Sequence, residues 1–138
     1  MKRELGDGYE LDDDIARIDR AAVHAYLTLS YWAEGRSRTV QNALIEGAAR
    51  IVGLYHRGEQ IGFSRTLSDG YNQSYLADVY VLEEHRGRGL GVELISFSVD
   101  EGPLAHTKWL LHTQDAHDLY RKFGFTEPSE RVLERGGT

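Results

Sequence analysis

Hydrophobic residues follow two different periods along the chain. Between Ile18 and Leu29 they recur every three or four positions, which is the spacing of one face of an amphipathic helix. From residue 51 the period changes, and the runs 51–56 and 61–67 are rich in β-branched and aromatic residues on either side of a turn-forming stretch at 57–60. The pattern therefore predicts a helical N-terminal part followed by a β-hairpin.

Strands and helices alternate after this hairpin. The run 75–82 predicts a third strand of the same meander, and apolar residues at helical spacing predict a helix over 89–100. Because a helical crossover joins parallel strands, we expect the next strand, 107–113, to run parallel to 75–82. In total we predict strands over 8–11, 51–56, 61–67, 75–82, 107–113 and 131–134, and helices from Asp14 or Asp19 to about Ser30, over 39–46 with Val40 and Leu44 facing inward, over 89–100 and over 115–123.

Three glycines mark the junction between the strand 75–82 and the helix that follows. Gly87, Gly89 and Gly91 stand where the first N–H groups of that helix lack internal partners, so an anion such as a phosphate is favoured there. The dinucleotide-binding pattern G-x-G-x-x-G and the P-loop pattern both fail at this turn. The pattern that fits is R-x-x-G-x-G, formed by Arg86, Gly89 and Gly91.

A second segment, 111–125, adds to this interpretation. It resembles the strand and helix that carry Ala, Leu-Tyr and Gly-Phe in the GNAT superfamily of N-acetyltransferases, and the glycine turn resembles the acyl-CoA pyrophosphate loop of the same superfamily. The matching residues of the second segment are Ala116, Leu119, Tyr120, Gly124 and Phe125. The resemblance implies an α+β fold, with a mixed and mostly antiparallel sheet of about six strands that includes a splayed parallel pair, flanked by about four helices.

Composition limits the classes of protein that remain. The chain has 138 residues, which suits a single domain over 1–138, and it lacks cysteine, which excludes disulfides, thiolate metal sites and a cysteine nucleophile. No apolar stretch reaches the length of a signal peptide or a membrane span, so we expect a cytoplasmic protein without a membrane partner. The net charge of -6 argues against a nucleic-acid partner. An acidic body with a basic turn suits an anionic cofactor and a cationic amine.

The resemblance implies acetyl-CoA as the acyl donor and no metal. In the superfamily, free backbone groups at the end of the strand 75–82 bind the pantetheine arm, and N–H groups of the glycine turn bind the phosphates. The cofactor-binding residues implied in this way are Val79, Tyr80, Val81, Arg86, Gly87, Arg88, Gly89, Leu90, Gly91, Val92 and Thr113. Thr113 stands where many members carry an asparagine that contacts pantetheine, so this sequence departs from the pattern there.

The same resemblance implies direct transfer of the acetyl group from the thioester to a primary amine. Tyr120 is the candidate proton donor for the departing thiolate, because the superfamily places a tyrosine here beside the thioester. Asp78 is the candidate base, or the group that holds the ammonium, because it is a charged residue in an otherwise uncharged strand. Strict alternation puts Asp78 on the opposite face from Val79 and Val81, although a β-bulge would alter that count.

Several roles stay open at this stage. His112 and His117 are further candidate bases, and Tyr31 and Trp32 are candidates for the acceptor pocket, since the loop between the first two helices lines that pocket in the superfamily. The acceptor is a small-molecule amine or a protein amino group, and pairing of two copies into a homodimer through an edge strand is also open. The alternative function is a non-catalytic acyl-CoA-binding regulatory module. The presence of Tyr120 together with an available carboxylate favours an enzyme.

Overall fold

The computed structural model describes residues 1–136 and is built around one sheet. The strands are β1 (Lys2–Gly6), β2 (Tyr9–Asp12), β3 (Arg50–His56), β4 (Glu59–Ser68), β5 (Gln73–Val81) and β6 (Lys108–Leu111), and the helices are α1 (Arg20–Leu27), α2 (Arg38–Glu46), α3 (Leu90–Ile95) and α4 (His117–Arg121). Strands that follow one another pair antiparallel, except β5 and β6, which are parallel. This arrangement confirms the predicted α+β fold class.

The β3–β4 hairpin follows the turn chemistry that the sequence indicates. Arg57 and Gly58 connect the two strands, and both have positive φ angles, of 50° and 86°. Two left-handed residues in a two-residue connection give a turn whose twist matches that of the paired strands. The hairpin lies at the centre of the sheet, where β2 pairs with β3 and β5 pairs with β4.

Helices cover both faces of the sheet. The buried residues of the face under α1 and α2 include Val23, Leu27, Ile45, Ile51, Phe63 and Tyr80. The buried residues of the face under α3 and α4 include Val52, Leu76, Leu94, Ile95, Phe97 and Tyr120. Ile51 and Val52 are neighbours in β3 and belong to different faces, as the alternation of a strand requires. Within residues 1–136, none of the helices is long and apolar enough to cross a membrane.

The last predicted strand is wrong, and one strand was not predicted, whereas the first predicted strand, 8–11, corresponds to β2. Residues 131–134 form no strand, and Leu133 is 94% exposed, because this segment does not pair with β6 and no sheet face receives its apolar side chains. The strand that completes the sheet is β1, which the sequence did not predict. Its charged sequence contributes one apolar side chain to the core, Leu5, which is too little to give a hydrophobic period.

The inward face of α2 also differs from the prediction. Its buried residues are Gln41 and Ile45, each one position after the predicted Val40 and Leu44, and Val40 is exposed. The reason is a polar contact that hydrophobicity cannot indicate, because Arg36 donates to the Gln41 side-chain oxygen at 3.0 Å and holds it inside.

The helix after the glycine turn ends against a buried arginine. α3 continues as a π-helical turn over Ser96–Asp100. Arg50 donates from Nη1 to the carbonyl oxygens of Phe97, at 2.7 Å, and Ser98, at 3.1 Å, and its Nε donates to the Asp13 carboxylate at 3.1 Å. Arg50 thus supplies donors to carbonyls at the helix end that lack partners within the helix.

Arg50→Met is expected to lower the free energy of unfolding by about 2–4 kcal/mol, because two carbonyl oxygens and the Asp13 carboxylate lose a charged donor inside the protein. Arg50→Lys keeps the charge but not the planar fork, so we expect an intermediate loss. Arg38→Met, at an exposed position of α2, is the control and should change stability by less than about 0.5 kcal/mol. Urea denaturation measures all three, and unchanged stability of Arg50→Met would contradict the role assigned to Arg50.

The parallel pair separates soon after it forms. β5 and β6 are paired only from Gln73–Lys108 to Leu76–Leu111, although β5 continues to Val81. The backbone groups of 77–81 that point toward β6 therefore have no strand beside them. The separation confirms the splayed pair expected for this fold class, and the space that it opens holds the candidate site.

Candidate active site

A cleft of about 1000 Å³ opens where β5 leaves β6. Its walls are the end of β5, the glycine turn, the end of α1 with the loop after it, and the start of α4. The predicted site residues that line it are Val79, Tyr80, Val81, Arg86, Gly87, Gly89, Leu90, Gly91, Val92, Tyr31, Trp32 and Tyr120. Asp78, Arg88 and Thr113 are not part of this wall. The structure therefore brings most of the predicted residues together around one space.

The glycine turn leaves one side of the cleft free of side chains. Gly87 and Gly89 have φ angles of 82° and 77°, in the left-handed region that favours glycine. A Cβ added at Gly87, Gly89 or Gly91 would meet no atom within 4 Å, so the space beside all three is open. Gly89 directly precedes α3, whose first N–H groups lack partners within the helix. This geometry allows a phosphate to approach the backbone closely.

The Arg86 side chain binds groups of the protein itself. Its Nε donates to the carbonyl oxygen of Val81 at 2.9 Å, and its Nη2 donates to the Tyr26 hydroxyl at 2.9 Å. Tyr26 in turn stacks on Tyr80, with ring centroids 3.9 Å apart. Arg86 thus ties the glycine turn to β5 and α1. Tyr26 was predicted only as part of a helix face, and the sequence gives no sign of its place in the cleft.

Tyr120 is held at the cleft by α4 and is nearly buried, with 8% of its surface exposed. Its ring packs edge-on against Phe125, with centroids 5.8 Å apart. Burial raises the pKa of the Tyr120 phenol to about 12, and the nearby Tyr31 and Asp115 add to that rise. The phenol is therefore neutral at physiological pH and can donate a proton.

Asp78 lies on a β-bulge in β5. The register with β4 shifts between Phe63 and Arg65, and Asp78 has a φ angle of 55°. The β-bulge whose presence could not be decided from the sequence is therefore present. Asp78 nevertheless points to the side of the α1–α2 loop, whereas Val79 and Val81 pack toward α3, as the alternation predicted.

Three N–H donors converge on the buried Asp78 carboxylate. Arg65 Nε donates to Oδ2 at 2.8 Å, Arg36 Nη1 donates to the same oxygen at 2.9 Å, and Trp32 Nε1 donates to Oδ1 at 3.0 Å. Because the carboxylate is buried and two of its three donors are guanidinium groups, these bonds favour a role for Asp78 in orienting the donor side chains over a role as proton acceptor. The catalytic role of Asp78 stays a prediction.

Arg36 and Arg65 are absent from the site that the sequence predicted. The sequence holds one indication of Arg65, which is a charged residue inside an apolar strand and pairs in register with Ala77, next to Asp78. Opposite charges inside neighbouring strands indicate a cross-strand ion pair. Arg36 follows the aromatic loop, where nothing in the sequence distinguishes it from a surface residue.

The two candidate bases His112 and His117, together with Thr113, lie around the end of β6, outside the wall of the cleft. His112 Nε2 is 2.8 Å from a Glu134 carboxylate oxygen, and His112 Nδ1 contacts the Tyr75 hydroxyl. His117 Nε2 is 3.0 Å from the carbonyl oxygen of Thr113. These contacts give neither histidine a place beside Tyr120 and do not support a role as base. Among residues 1–136, no three His, Asp or Glu side chains form a group that could hold a metal ion.

A six-strand mixed sheet with one parallel pair, flanked by four helices, is the arrangement of the GNAT fold. The model of the acetyltransferase (GNAT) domain family matches residues 47–127 of this chain. The chain belongs to the GNAT acetyltransferase family.

Known relatives agree with this assignment. A crystal structure from Xanthomonas campestris pv. campestris, of a candidate acetyltransferase of the GNAT family, has 30% identity and a TM-score of 0.86, over 94% of this chain and 93% of that one. A structure from Clostridium acetobutylicum, of a predicted acetyltransferase with acetyl-CoA, shares the fold with 16% identity and a TM-score of 0.67, over 99% and 96% of the two chains. A candidate acetyltransferase of Gibberella zeae is 32% identical over 75 residues, which are 52% of this chain and 42% of that protein. The match thus spans less than half of this curated relative.

Proposed function

We propose that this protein transfers the acetyl group of acetyl-CoA to a primary amine, by direct attack of the amine on the thioester. The observation that carries the proposal is the shared cleft, in which the unpaired end of β5, the open glycine turn and the neutral phenol of Tyr120 meet. Membership of the acetyltransferase family supports it. The Clostridium acetobutylicum structure with acetyl-CoA supports the choice of acyl donor.

The main chain is proposed to hold acetyl-CoA. Residues 77–81 of β5 offer backbone groups to the amides of the pantetheine arm, in the place that β6 leaves free. The N–H groups at the glycine turn offer donors to the phosphates. Arg86 already donates to the Val81 carbonyl oxygen, so we assign the main pantetheine contacts to the backbone of Val79.

The reaction needs a neutral amine and a proton for the departing thiolate. An alkylamine titrates at about 10.4 and a thiol at about 8.5 in water. The ammonium group first loses one proton to solvent, and the amine nitrogen then attacks the thioester carbon. As the C–S bond breaks, Tyr120 gives its phenolic proton to the sulfur, and the proton that nitrogen releases on forming the amide returns to Tyr120. The products are an amide, a free thiol and one proton.

Tyr31 and Trp32 are proposed to form the acceptor side of the cleft. Their rings meet edge to face with centroids 5.0 Å apart. The Tyr31 hydroxyl accepts from the backbone N–H of Gln114 at 3.1 Å, and Asp78 fixes the Trp32 ring through its indole N–H. We therefore assign Asp78 a positioning role, in which it keeps Trp32 oriented at the cleft.

Titration calorimetry followed by a thiol-release screen tests this function. We expect saturable binding of acetyl-CoA and of desulfo-CoA, and release of free thiol from acetyl-CoA with some members of a panel of primary amines. Binding without thiol release for any amine or protein acceptor would favour the non-catalytic acyl-CoA-binding module. Absence of binding would contradict the assignment of the cleft to acetyl-CoA.

A further inference from the structure

One buried arginine and one half-buried arginine share a single carboxylate beside the acceptor side of the cleft. The side chains of Arg36 and Arg65 are 17% and 9% exposed, and both donate to one oxygen of Asp78, whose side chain is 1% exposed. Among residues 1–136, no other carboxylate lies within 4.0 Å of either guanidinium. Arg36, Arg65 and the Asp78 that joins them are called the arginine pair below. Two positive charges and one negative charge give this group a net charge of +1.

Arg17, which is half-buried, and Arg50, which is buried, are paired more completely. Arg17 contacts two carboxylates, those of Glu10 and Asp12, and Arg50 contacts the Asp13 carboxylate and two carbonyl oxygens. Arg65, by contrast, uses only its Nε, and both of its terminal nitrogens have no partner among the described residues. Neither terminal nitrogen belongs to the fully buried side-chain atoms that lack a partner, so both retain some contact with solvent. These N–H groups are available to a ligand.

The position of the arginine pair connects it to the reaction. Trp32 lines the proposed acceptor side of the cleft, and its indole N–H donates to the Asp78 carboxylate. The arginine pair therefore lies directly behind Trp32. On the same face of the sheet, Leu67 and Leu110 pair with Tyr75 from either side and are both exposed, so α1 and α2 do not close this side. The sheet face next to the arginine pair is therefore uncovered, and a small molecule that binds the pair would have to enter there.

A surplus guanidinium selects the charge of its ligand. An unpaired positive charge at a partly buried site is unfavourable until an anion neutralises it, and a guanidinium binds carboxylate or phosphate oxygens through parallel N–H bonds. It also repels an ammonium group that carries no anion. The protein as a whole has a net charge of -6, so the local surplus is opposite to its overall charge.

We infer that the acceptor is a small amine that also carries a carboxylate or phosphate group, and that the free N–H groups of Arg36 and Arg65 bind this anion. The inference rests on the proposed acetyl transfer and specifies its substrate class. The anion would lie at the arginine pair, and the amine would extend past Trp32 toward the thioester. An acceptor with only positive charge is disfavoured at this site.

Matched acceptors test the inference on the unaltered protein. Linear ω-amino acids with two to six carbons are compared with their amides, and O-phosphoethanolamine with ethanolamine, by thiol release from acetyl-CoA. We expect kcat/KM to be about 10- to 100-fold higher for the best anionic acceptor than for its neutral partner. The carboxylate and phosphate series show which anion is preferred. Equal or better use of the neutral partners would overturn the inference and leave the acetyl transfer standing.

Variants then test whether the arginine pair is the cause. Arg65→Met should bring the ratio of kcat/KM for acid over amide close to one, and Arg65→Lys should keep part of the preference, because it retains the charge without the fork. Arg57→Met, in the exposed β3–β4 turn, is the matched control and should keep the full ratio. Retained affinity for desulfo-CoA shows that each variant is folded. A preference that survives in Arg65→Met would overturn the assignment, and bound acetyl-CoA without thiol release for any amine would overturn the acetyl transfer itself.

Discussion

Tyr120→Phe is expected to lower kcat for thiol release by about 100-fold, because general acid catalysis by a positioned side chain contributes about 10²–10⁴-fold to a rate. The variant removes one hydroxyl and keeps the ring that packs against Phe125. Because acetyl-CoA binding is assigned to the main chain, its dissociation constant should change by less than about twofold, which is a few tenths of a kcal/mol. Single-turnover thiol release and calorimetry measure the two quantities separately.

The pH dependence sharpens this expectation. Burial raises the pKa of Tyr120 to about 12, so its proton is present throughout the range from pH 6 to pH 9. The rate of the parent protein should therefore rise with pH as the amine loses its proton, without a falling limb from Tyr120. Burial of the neutral phenol stabilises the fold fully below about pH 10 and ceases to do so as the pH rises through about 12, so the assays stay below pH 10.

Tyr71→Phe provides the matched control. Tyr71 is exposed and lies outside the wall of the cleft, so removal of its hydroxyl should leave both constants unchanged. Full activity of Tyr120→Phe from pH 6 to pH 9 would show that the thiolate takes its proton from another source, and the donor role would be withdrawn.

Gly91→Trp should weaken acetyl-CoA binding by about 100-fold or more without unfolding the protein, since a large side chain beside the backbone keeps the phosphates away from the N–H groups. Gly91 suits this test better than Gly89. Gly89 has a φ angle of 77°, so any side chain there strains the turn, whereas Gly91 lies in α3 and a Cβ there meets no atom within 4 Å.

Gly91→Ala separates affinity from stability. Alanine is favoured over glycine inside a helix by about 0.5–1 kcal/mol, so this variant should be slightly more stable while it binds acetyl-CoA less tightly. Gly136→Trp adds the same bulk outside the cleft and should leave binding unchanged. Calorimetry and thermal unfolding measure each pair of values. Parent-like affinity of Gly91→Trp would show that the phosphates bind elsewhere.

The parts of the fold that the sequence predicted well are those in which local chemistry and hydrophobic pattern agree. The β3–β4 hairpin has two strands rich in β-branched and aromatic residues and a glycine in the turn between them, and the glycine turn separates β5 from α3. β1 escaped prediction because its stability comes from pairing with β2 and from ion pairs such as Arg3–Glu93, which join residues far apart in the chain. Long-range pairing of this kind leaves no local pattern.

The candidate site divides in the same way. The glycine turn and Tyr120 stand out in the sequence because a particular residue type is needed at a particular spacing. The arginine pair does not, because its members come from a loop and from two strands, and only the folded chain joins them through Asp78. Polar contacts inside the protein also misdirected the prediction for α2, where the buried Gln41 occupies a position that an apolar pattern assigns to the surface.

The proposed function separates the two substrates by the kind of protein atom that contacts each of them. In the proposed function, backbone of β5 and the glycine turn holds acetyl-CoA, while the acceptor meets side chains of the α1–α2 loop and, behind the wall of the cleft, Arg65 of β4. Substitution of residues 31, 32, 36 and 65 is therefore expected to alter the choice of amine while the contacts proposed for acetyl-CoA stay intact. In protein engineering this makes the chain a scaffold for new amide-forming catalysts, in which one substrate is kept constant while libraries explore the other.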